Sequence, residues 1–160
     1  MGGSSSAKCK VVPEGLLLEG RVIEEGGGFV SCRSPILMSP LNLSSYRGLR
    51  ICVDGQGKTL KLALASRDRL LGISQFISDG LRWVAELETM STGTTTIDIP
   101  FRSFQPAIRA KPLPVSIPLD PSRIRQIQLL YSKFGQPGHI NEGFKSGPIR
   151  ILLRSISAFF

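Results

Sequence analysis

The side chains that could do acid–base or metal chemistry are few in this sequence and stand apart from one another. His139 is the single histidine, and its neighbours do not supply the partners that a serine-type triad or a histidine metal site needs. Glu86 and Glu88 would share one face of a strand, as paired-carboxylate chemistry requires, but a solvated strand face explains them better. The sequence therefore predicts no catalytic, cofactor-binding or metal-binding residues, and a protein that is not an enzyme.

A glycine-rich segment at residues 55–59, Gly-Gln-Gly-Lys-Thr, matches the end of a phosphate-binding loop. The full pattern needs an earlier glycine where this chain has Cys52, and a helix must follow. Residues 59–64 alternate like a strand instead. We therefore expect this segment to be the turn of a β-hairpin that joins strands at 49–53 and 60–64.

The three cysteines, Cys9, Cys32 and Cys52, form no C-x-x-C pair. Their odd number and wide spacing favour neither a zinc ribbon nor a thioredoxin-type motif. Cys32 and Cys52 lie in apolar strand patterns, where a free thiol behaves as a small hydrophobic side chain. The sequence therefore predicts free thiols in a reducing compartment and no disulfide scaffold.

The elements that must position any site are strands, because apolar residues alternate with polar ones at a period of two. The pattern predicts strands at residues 16–23, 29–33, 49–53, 60–64, 81–87, 94–99, 127–131 and 149–156. Helical turns fit only 43–46 and 121–124, and residues 104–118, with four prolines, fit a long crossover loop. Eight or nine short strands with little helix indicate an all-β sandwich or barrel in a single domain.

Positive charge is concentrated in the last third of the chain. Residues 1–100 carry a net charge of +1, whereas residues 101–160 hold nine basic and two acidic side chains, a net of +7. Such an imbalance is typical of proteins with an anionic partner, here an acidic protein, RNA or a membrane surface, although a solvated basic face would also produce it. The candidate partner-binding residues are Arg102, Arg109, Lys111, Arg123, Arg125, Lys133 and Lys145.

Several motifs occur in an order that is characteristic of one family. They are Met-Gly-Gly-Ser-Ser at 1–5, Gly-Gly-Phe-Val-Ser-Cys-Arg at 27–33, Leu-Ser-Ser-Tyr-Arg-Gly-Leu at 43–49, and Trp83 followed by Ile-Pro-Phe-Arg-Ser-Phe at 99–104. On these motifs the chain resembles the complex I intermediate-associated protein 30 domain family over nearly its whole length. Residues 127–134, 141–148 and 153–158 are similar to the photosynthetic branch of that family, in plants and cyanobacteria.

The resemblance implies a galactose-binding-like jelly-roll sandwich without catalysis or cofactor. The photosynthetic branch includes a chloroplast factor for translation of the photosystem II D1 protein, and the mitochondrial branch acts as an assembly chaperone for respiratory complex I. Acidic and tryptophan residues that precede the first motif in the family are missing here. The resemblance therefore implies one domain over residues 1–160 that lacks its N-terminal strand, and that lacks the dehydrogenase-like halves of the longer proteins.

We therefore expect a non-catalytic assembly factor for a photosynthetic or respiratory membrane complex. Its partners would be assembly intermediates or other proteins, with RNA and a peripheral membrane contact as further partners and no transmembrane segment. The expected location is the chloroplast stroma or thylakoid surface in a eukaryote, the cytoplasm or thylakoid surface in a cyanobacterium, and the mitochondrion as the alternative.

A carbohydrate-binding module of jelly-roll type is the alternative function. In that case Trp83, Tyr46 and Tyr131 would form a sugar-stacking platform on an exposed face. Aromatic side chains at alternating strand positions are more often part of the core, and we favour that interpretation.

Overall fold

The computed structural model describes residues 4–66, 80–108, 111–113, 117–135 and 139–160. Strands account for most of this part of the chain, and two 3-10 turns accompany them at Phe101–Ser103 and Pro121–Arg123. The strands are β1 Ser6–Val12, β2 Gly15–Val22, β3 Phe29–Arg33, β4 Gly48–Asp54, β5 Thr59–Ser66, β6 Leu81–Glu88, β7 Thr95–Pro100, β8 Gln105–Ile108, β9 Lys111–Pro112, β10 Ile124–Ser132 and β11 Gly147–Phe159.

These strands form two antiparallel sheets. A five-stranded sheet has the order β1-β2-β11-β4-β7, and a six-stranded sheet has the order β3-β10-β5-β6-β8-β9. Because side chains alternate across a strand, each sheet turns one apolar face inward, as Leu60, Leu62 and Leu64 do on β5. The two inward faces pack on each other and form one hydrophobic core. The fold is thus the all-β jelly-roll sandwich that the periodicity and the family resemblance predict.

The predicted hairpin of β4 and β5 is wrong. The turn between them forms as expected, with Gln56 and Gly57 at positive φ, but β4 pairs with β11 and β7 whereas β5 pairs with β10 and β6. The chain crosses from one sheet to the other at this turn. Both strands need an apolar partner face, and they satisfy that need by facing each other across the core rather than by lying side by side.

Three strands form where the sequence pattern did not predict them. β1 lies at one edge of the five-stranded sheet, and β8 and β9 lie at the edge of the six-stranded sheet. The last two fall within residues 104–118, so the prediction of an unbroken crossover loop there is wrong. Pro112 is compatible with the edge strand β9, and Pro106 precedes the two residues of β8 that pair with β9, because a position without a partner strand on one side does not need its N–H for pairing.

The expectation of free thiols is wrong for two of the three cysteines. Cys9 of β1 and Cys32 of β3 form a disulfide, with their Cα atoms 6.2 Å apart. β1 and β3 are edge strands of different sheets, so the bond fastens the two layers together along one side of the sandwich. Cys52 is a free, half-buried thiol.

Both sheets end together at what we call the lower end, where Ile124 of β10 pairs with Ser66. Leu41 bridges to Ile124, and the chain then enters β4 at Gly48, which pairs with Phe159 at the end of β11. The opposite, upper end is where Ser132 pairs with Phe29. The nine residues of β10 separate the two ends by about 27 Å. No helix in the described ranges is long and apolar enough to cross a membrane.

Candidate partner-binding surface

Turns at the lower end hold the segments that carry its basic side chains. The 3-10 turn before β10 is capped by Asp120, whose Oδ1 accepts hydrogen bonds from the backbone N–H and the hydroxyl of Ser122 at 2.9 and 2.6 Å. This is the turn predicted at 121–124, and an aspartate cap satisfies an otherwise free N–H. The predicted helical turn at 43–46 is instead a single turn closed by the Tyr46 N–H on the Leu43 carbonyl at 3.0 Å.

The structure brings four of the seven candidate basic residues to this lower end. Arg123 ends the 3-10 turn, Arg125 is the second residue of β10, Arg102 follows β7, and Lys111 begins β9. Arg109 lies outside the described residues. A fifth basic residue, Arg47, is exposed at the entry to β4.

We call this surface the basic end, and its described members are Arg47, Arg102, Lys111, Arg123 and Arg125. Sequence reasoning missed Arg47 because it belongs to the first hundred residues, in which the charges nearly balance.

Arg125 differs from the other members because a buried donor of its guanidinium is unused. β10 carries an irregularity between Ile124 and Gln126, and a bulge of this kind re-aims the side chain at that position. The Arg125 Nε is buried and donates to no acceptor that the structure describes. A buried N–H without an acceptor is unfavourable for the folded chain.

Apolar side chains stand beside these cations. Residues 34–41 run along the beginning of β10, held by the Leu37 N–H on the Arg125 carbonyl at 2.8 Å. On this segment Ile36 is 62% exposed and Met38 is 90% exposed. Cations with exposed apolar side chains next to them are typical of surfaces that bind other macromolecules.

The other two candidates, Lys133 and Lys145, lie at the upper end. Lys133 follows β10 and donates from Nζ to the Glu24 carbonyl at 3.3 Å. The backbone of Lys145 is fixed by hydrogen bonds of 2.8 and 3.0 Å with the hydroxyl of Tyr131. The seven candidates therefore do not form one continuous surface in the described part of the chain.

The aromatic residues of the carbohydrate alternative are largely internal. Trp83 is 1% exposed and donates from Nε1 to the Ile117 carbonyl at 2.8 Å, and Tyr131 is 0% exposed. Tyr46 is half-buried, and the centroid of its ring lies 4.8 Å from the centroid of the Phe160 ring. The core interpretation is therefore confirmed for Trp83 and Tyr131, which cannot form a stacking platform without leaving the core.

The other chemical motifs can now be placed. The glycine-rich turn at 55–59 leads into β5 and not into a helix, so it is not a phosphate-binding loop. Glu86 and Glu88 share the outward face of β6, opposite Lys61 and Thr59 on β5. The described residues contain no group of three or more His, Cys, Asp or Glu side chains placed to hold a metal ion.

These features define a jelly-roll β-sandwich with a cationic end. The sequence model for complex I intermediate-associated protein 30 matches residues 1–153, and the chain belongs to that family. The family resemblance drawn from the motifs is thereby confirmed. No curated protein matches the chain in sequence.

Several solved structures share the fold at low sequence identity. The family 11 carbohydrate-binding module of the cellulosomal cellulase Lic26A-Cel5E of Clostridium thermocellum is 19% identical, with a TM-score of 0.67 over 99% of this chain and 84% of that chain. The same kind of module in complex with a β-1,3-1,4-mixed-linked tetrasaccharide is 20% identical, with a TM-score of 0.65 over 99% and 85%. The agarase AgWH50C is 9% identical, with a TM-score of 0.55 over 96% of this chain and 22% of that chain.

Proposed function

We propose that the chain is a non-catalytic binding module that assists assembly of a membrane-bound respiratory or photosynthetic complex. Membership of the complex I intermediate-associated protein 30 family supports an assembly-related role. The observation that carries the mechanism is the basic end, where five described cations lie and the Asp120 carboxylate is engaged in a cap. This end would hold an acidic segment of an assembly intermediate.

Within this role we propose the photosynthetic branch, so that the complex served is photosystem II and the step is linked to synthesis of its D1 protein. The motifs at 127–134, 141–148 and 153–158 support this branch. The proposed location is accordingly the chloroplast stroma or thylakoid surface, or the corresponding compartments of a cyanobacterium. A mitochondrial chaperone for complex I is the alternative.

The partner is proposed to be a protein rather than RNA because of the apolar side chains beside the cations. Ile36 and Met38 are exposed next to Arg125, and an RNA backbone offers phosphates but little apolar surface to cover them. An acidic protein segment with interspersed apolar residues satisfies both features. The charged contacts would set the association rate, and the apolar contacts would slow dissociation.

Charge reversal at the basic end is the test. Glutamate replaces Arg47, Arg102, Lys111 and Arg123, which lowers the formal net charge from +8 to zero. A matched control reverses four exposed basic residues elsewhere, namely Lys8, Arg21, Lys145 and Arg150, with the same change in net charge. Native gels of membranes then show whether each variant migrates with assembly intermediates of photosystem II or complex I, which are detected by antibodies to their subunits.

We expect the wild type and the control to migrate with an intermediate and the basic-end variant to migrate alone. The melting temperatures of all three proteins should agree within a few degrees. Retention of the basic-end variant, or equal loss in both variants, would contradict the mechanism. Release of the wild-type chain by ribonuclease would show that the partner is RNA, against the proposal.

A further inference from the structure

The disulfide between Cys9 and Cys32 lies at an accessible side of the sandwich. Cys9 is exposed and Cys32 is half-buried, and β1 and β3 each have a partner strand on one side only. A thiol from solution can therefore approach the bond at Cys9. Access of this kind is one of the factors that decide how fast a disulfide is reduced.

Apart from this bond, β1 is held weakly. It pairs along its whole length with β2, and Ala7 packs against the hydrophobic core, whereas Val11 is 88% exposed. The ion pair between Lys10 and Glu19 joins side chains that are 54% and 38% exposed, and exposed ion pairs contribute little to stability. A strand at an edge with so little buried surface opens more easily than the central strands do.

The other strand of the bond, β3, is held firmly. It pairs with β10 over all five of its residues, and Val30 is buried in the core. Immediately after β3, the Ser34 N–H donates to the Ile127 carbonyl at 2.9 Å, and the Ser34 hydroxyl accepts from the Ile127 N–H at 3.1 Å. Cleavage of the disulfide would therefore release β1 and leave β3 in place.

We propose that this disulfide is a redox switch, which a dithiol oxidoreductase opens and which decides whether β1 stays paired with β2. A thiolate of the oxidoreductase attacks the Cys9 Sγ, the S–S bond breaks, and the Cys32 sulfur leaves as a thiolate that takes up a proton. The second thiolate of the oxidoreductase then attacks the mixed disulfide, and the Cys9 sulfur leaves and is protonated. Two electrons pass to the chain, which gains two thiols, while the oxidoreductase pair becomes a disulfide.

The two states of the switch differ at the edge of β2. In the oxidised chain β1 lies so close to this edge that a Cβ on Gly20 would be 2.5 Å from the Ala7 Cα. When β1 leaves, the backbone N–H and C=O groups of β2 that paired with it become free. β1 is thus the two-state element that the bond biases, and this role does not depend on the assembly function.

A trapping experiment identifies the sulfur that is attacked. An oxidoreductase of the thioredoxin type, with serine in place of its second active-site cysteine, cannot resolve the mixed disulfide and remains bound. It is mixed with the folded Cys52→Ser chain, without denaturant, so that the free thiol plays no part. We expect mass spectrometry to find the oxidoreductase on Cys9 in at least tenfold excess over Cys32. Absence of a trapped product, or a product mainly on Cys32, would overturn the proposal.

Trypsin measures the release of β1, because Lys8 and Lys10 both lie in this strand and a protease cleaves a segment that has left its sheet. We expect cleavage after these lysines to be at least tenfold faster in the reduced wild-type chain and to become slow again after reoxidation. Arg50, exposed on the paired strand β4, is the control site and should stay uncut in both states.

Cys9→Ser should be cleaved like the reduced chain, with or without the oxidoreductase. Cleavage of the wild-type chain at the same rate before and after reduction would contradict the switch. Equal acceleration at Arg50 would also contradict it, because the whole chain would then unfold on reduction.

Discussion

At the scale of single residues, Lys61 carries a charge where little water can reach it. Burial lowers the pKa of the Lys61 ammonium from 10.5 to about 8, while the neighbouring Glu86 carboxylate acts in the opposite direction. The loss of solvation is therefore only partly offset by the opposite charge. Such a lysine opposes folding whenever both the folded and the unfolded chain hold its proton.

The pH dependence of stability follows from this lowered pKa. Between pH 8 and about pH 10.4 the unfolded chain holds the Lys61 proton and the folded chain has released it, so the free energy of unfolding rises with pH. Below pH 8 both states are protonated, and the whole penalty, about 3 kcal/mol at most, is present. We expect Lys61→Met to stabilise the chain at pH 7 and to flatten the rise above pH 8.

Urea unfolding at pH 7, 8, 9 and 10 measures this effect. Lys111→Met, at an exposed position, is the matched control and should leave the pH profile of the wild type unchanged. Lys61 Nζ donates a hydrogen bond to the Gly135 carbonyl at 3.2 Å. A Lys61→Met variant that is less stable than wild type at pH 7 would show that this hydrogen bond outweighs the loss of solvation.

The sequence identifies residues by type and position but not by surroundings. Arg102 and Arg123 could be selected from the charge imbalance, and the structure places both at the basic end. The burial of Gln128 could not be predicted, since an alternating polar residue on a strand is expected to face water. Its burial depends on neighbours from β3 and β5, which adjoin β10 only in the folded sheet.

At the scale of the elements, the disulfide between β1 and β3 joins two strands that belong to different sheets and do not pair with each other. Cys9 and Cys32 are 23 residues apart in sequence, and each lies at the edge of a different sheet. Closing a loop of that length restricts the unfolded chain and stabilises the fold by about 3 kcal/mol in the chain-entropy view. The exposed β1 depends on this bond more than the central strands do.

Reduction of this bond should loosen one side of the sandwich. We expect Cys9→Ser, or dithiothreitol on the wild-type chain, to lower the free energy of unfolding by about 3 kcal/mol. Amide exchange in β1 should become faster, while β4 and β5 stay protected. Cys52→Ser, at the free thiol, is the control and should change neither quantity.

Mass spectrometry after alkylation of the unreduced, unfolded chain checks the premise. One labelled cysteine, Cys52, is the expected result, and three labelled cysteines would contradict the bond.

Local patterns predicted most strands but not all of their pairing. Strong alternation marks β4, β5 and β6, and these form as predicted. β1 was not predicted because most of its residues are polar or exposed. β8 and β9 were not predicted because each contains a proline. The turn at 54–57 has hairpin chemistry, but turn chemistry does not decide whether the flanking strands share a sheet or face each other across a core.

At the scale of the whole molecule, the fold converts a charge imbalance along the sequence into a difference between two ends. Arg47 from the nearly balanced first part of the chain joins Arg102, Arg123 and Arg125 at the lower end. The last third of the chain also supplies cations to the upper end, where Lys145 lies near Lys58. The pKa of the Lys58 ammonium is lowered mainly by the burial of Lys58 and further by the positive charge of Lys145. The cationic surface is therefore a property of the topology and could not be delimited from the sequence.

Photo-cross-linking from two equally exposed positions tests most directly whether a protein partner is held at the basic end. A photoreactive residue replaces Met38, 90% exposed beside the start of β10, or Val11, 88% exposed on β1. In membranes that contain assembly intermediates, we predict a cross-link from position 38 to a subunit polypeptide, lost in 0.5 M salt because screening weakens the charged contacts. We predict no such product from position 11. Equal products from both positions, or a product from position 38 that contains RNA and no polypeptide, would contradict the proposed function.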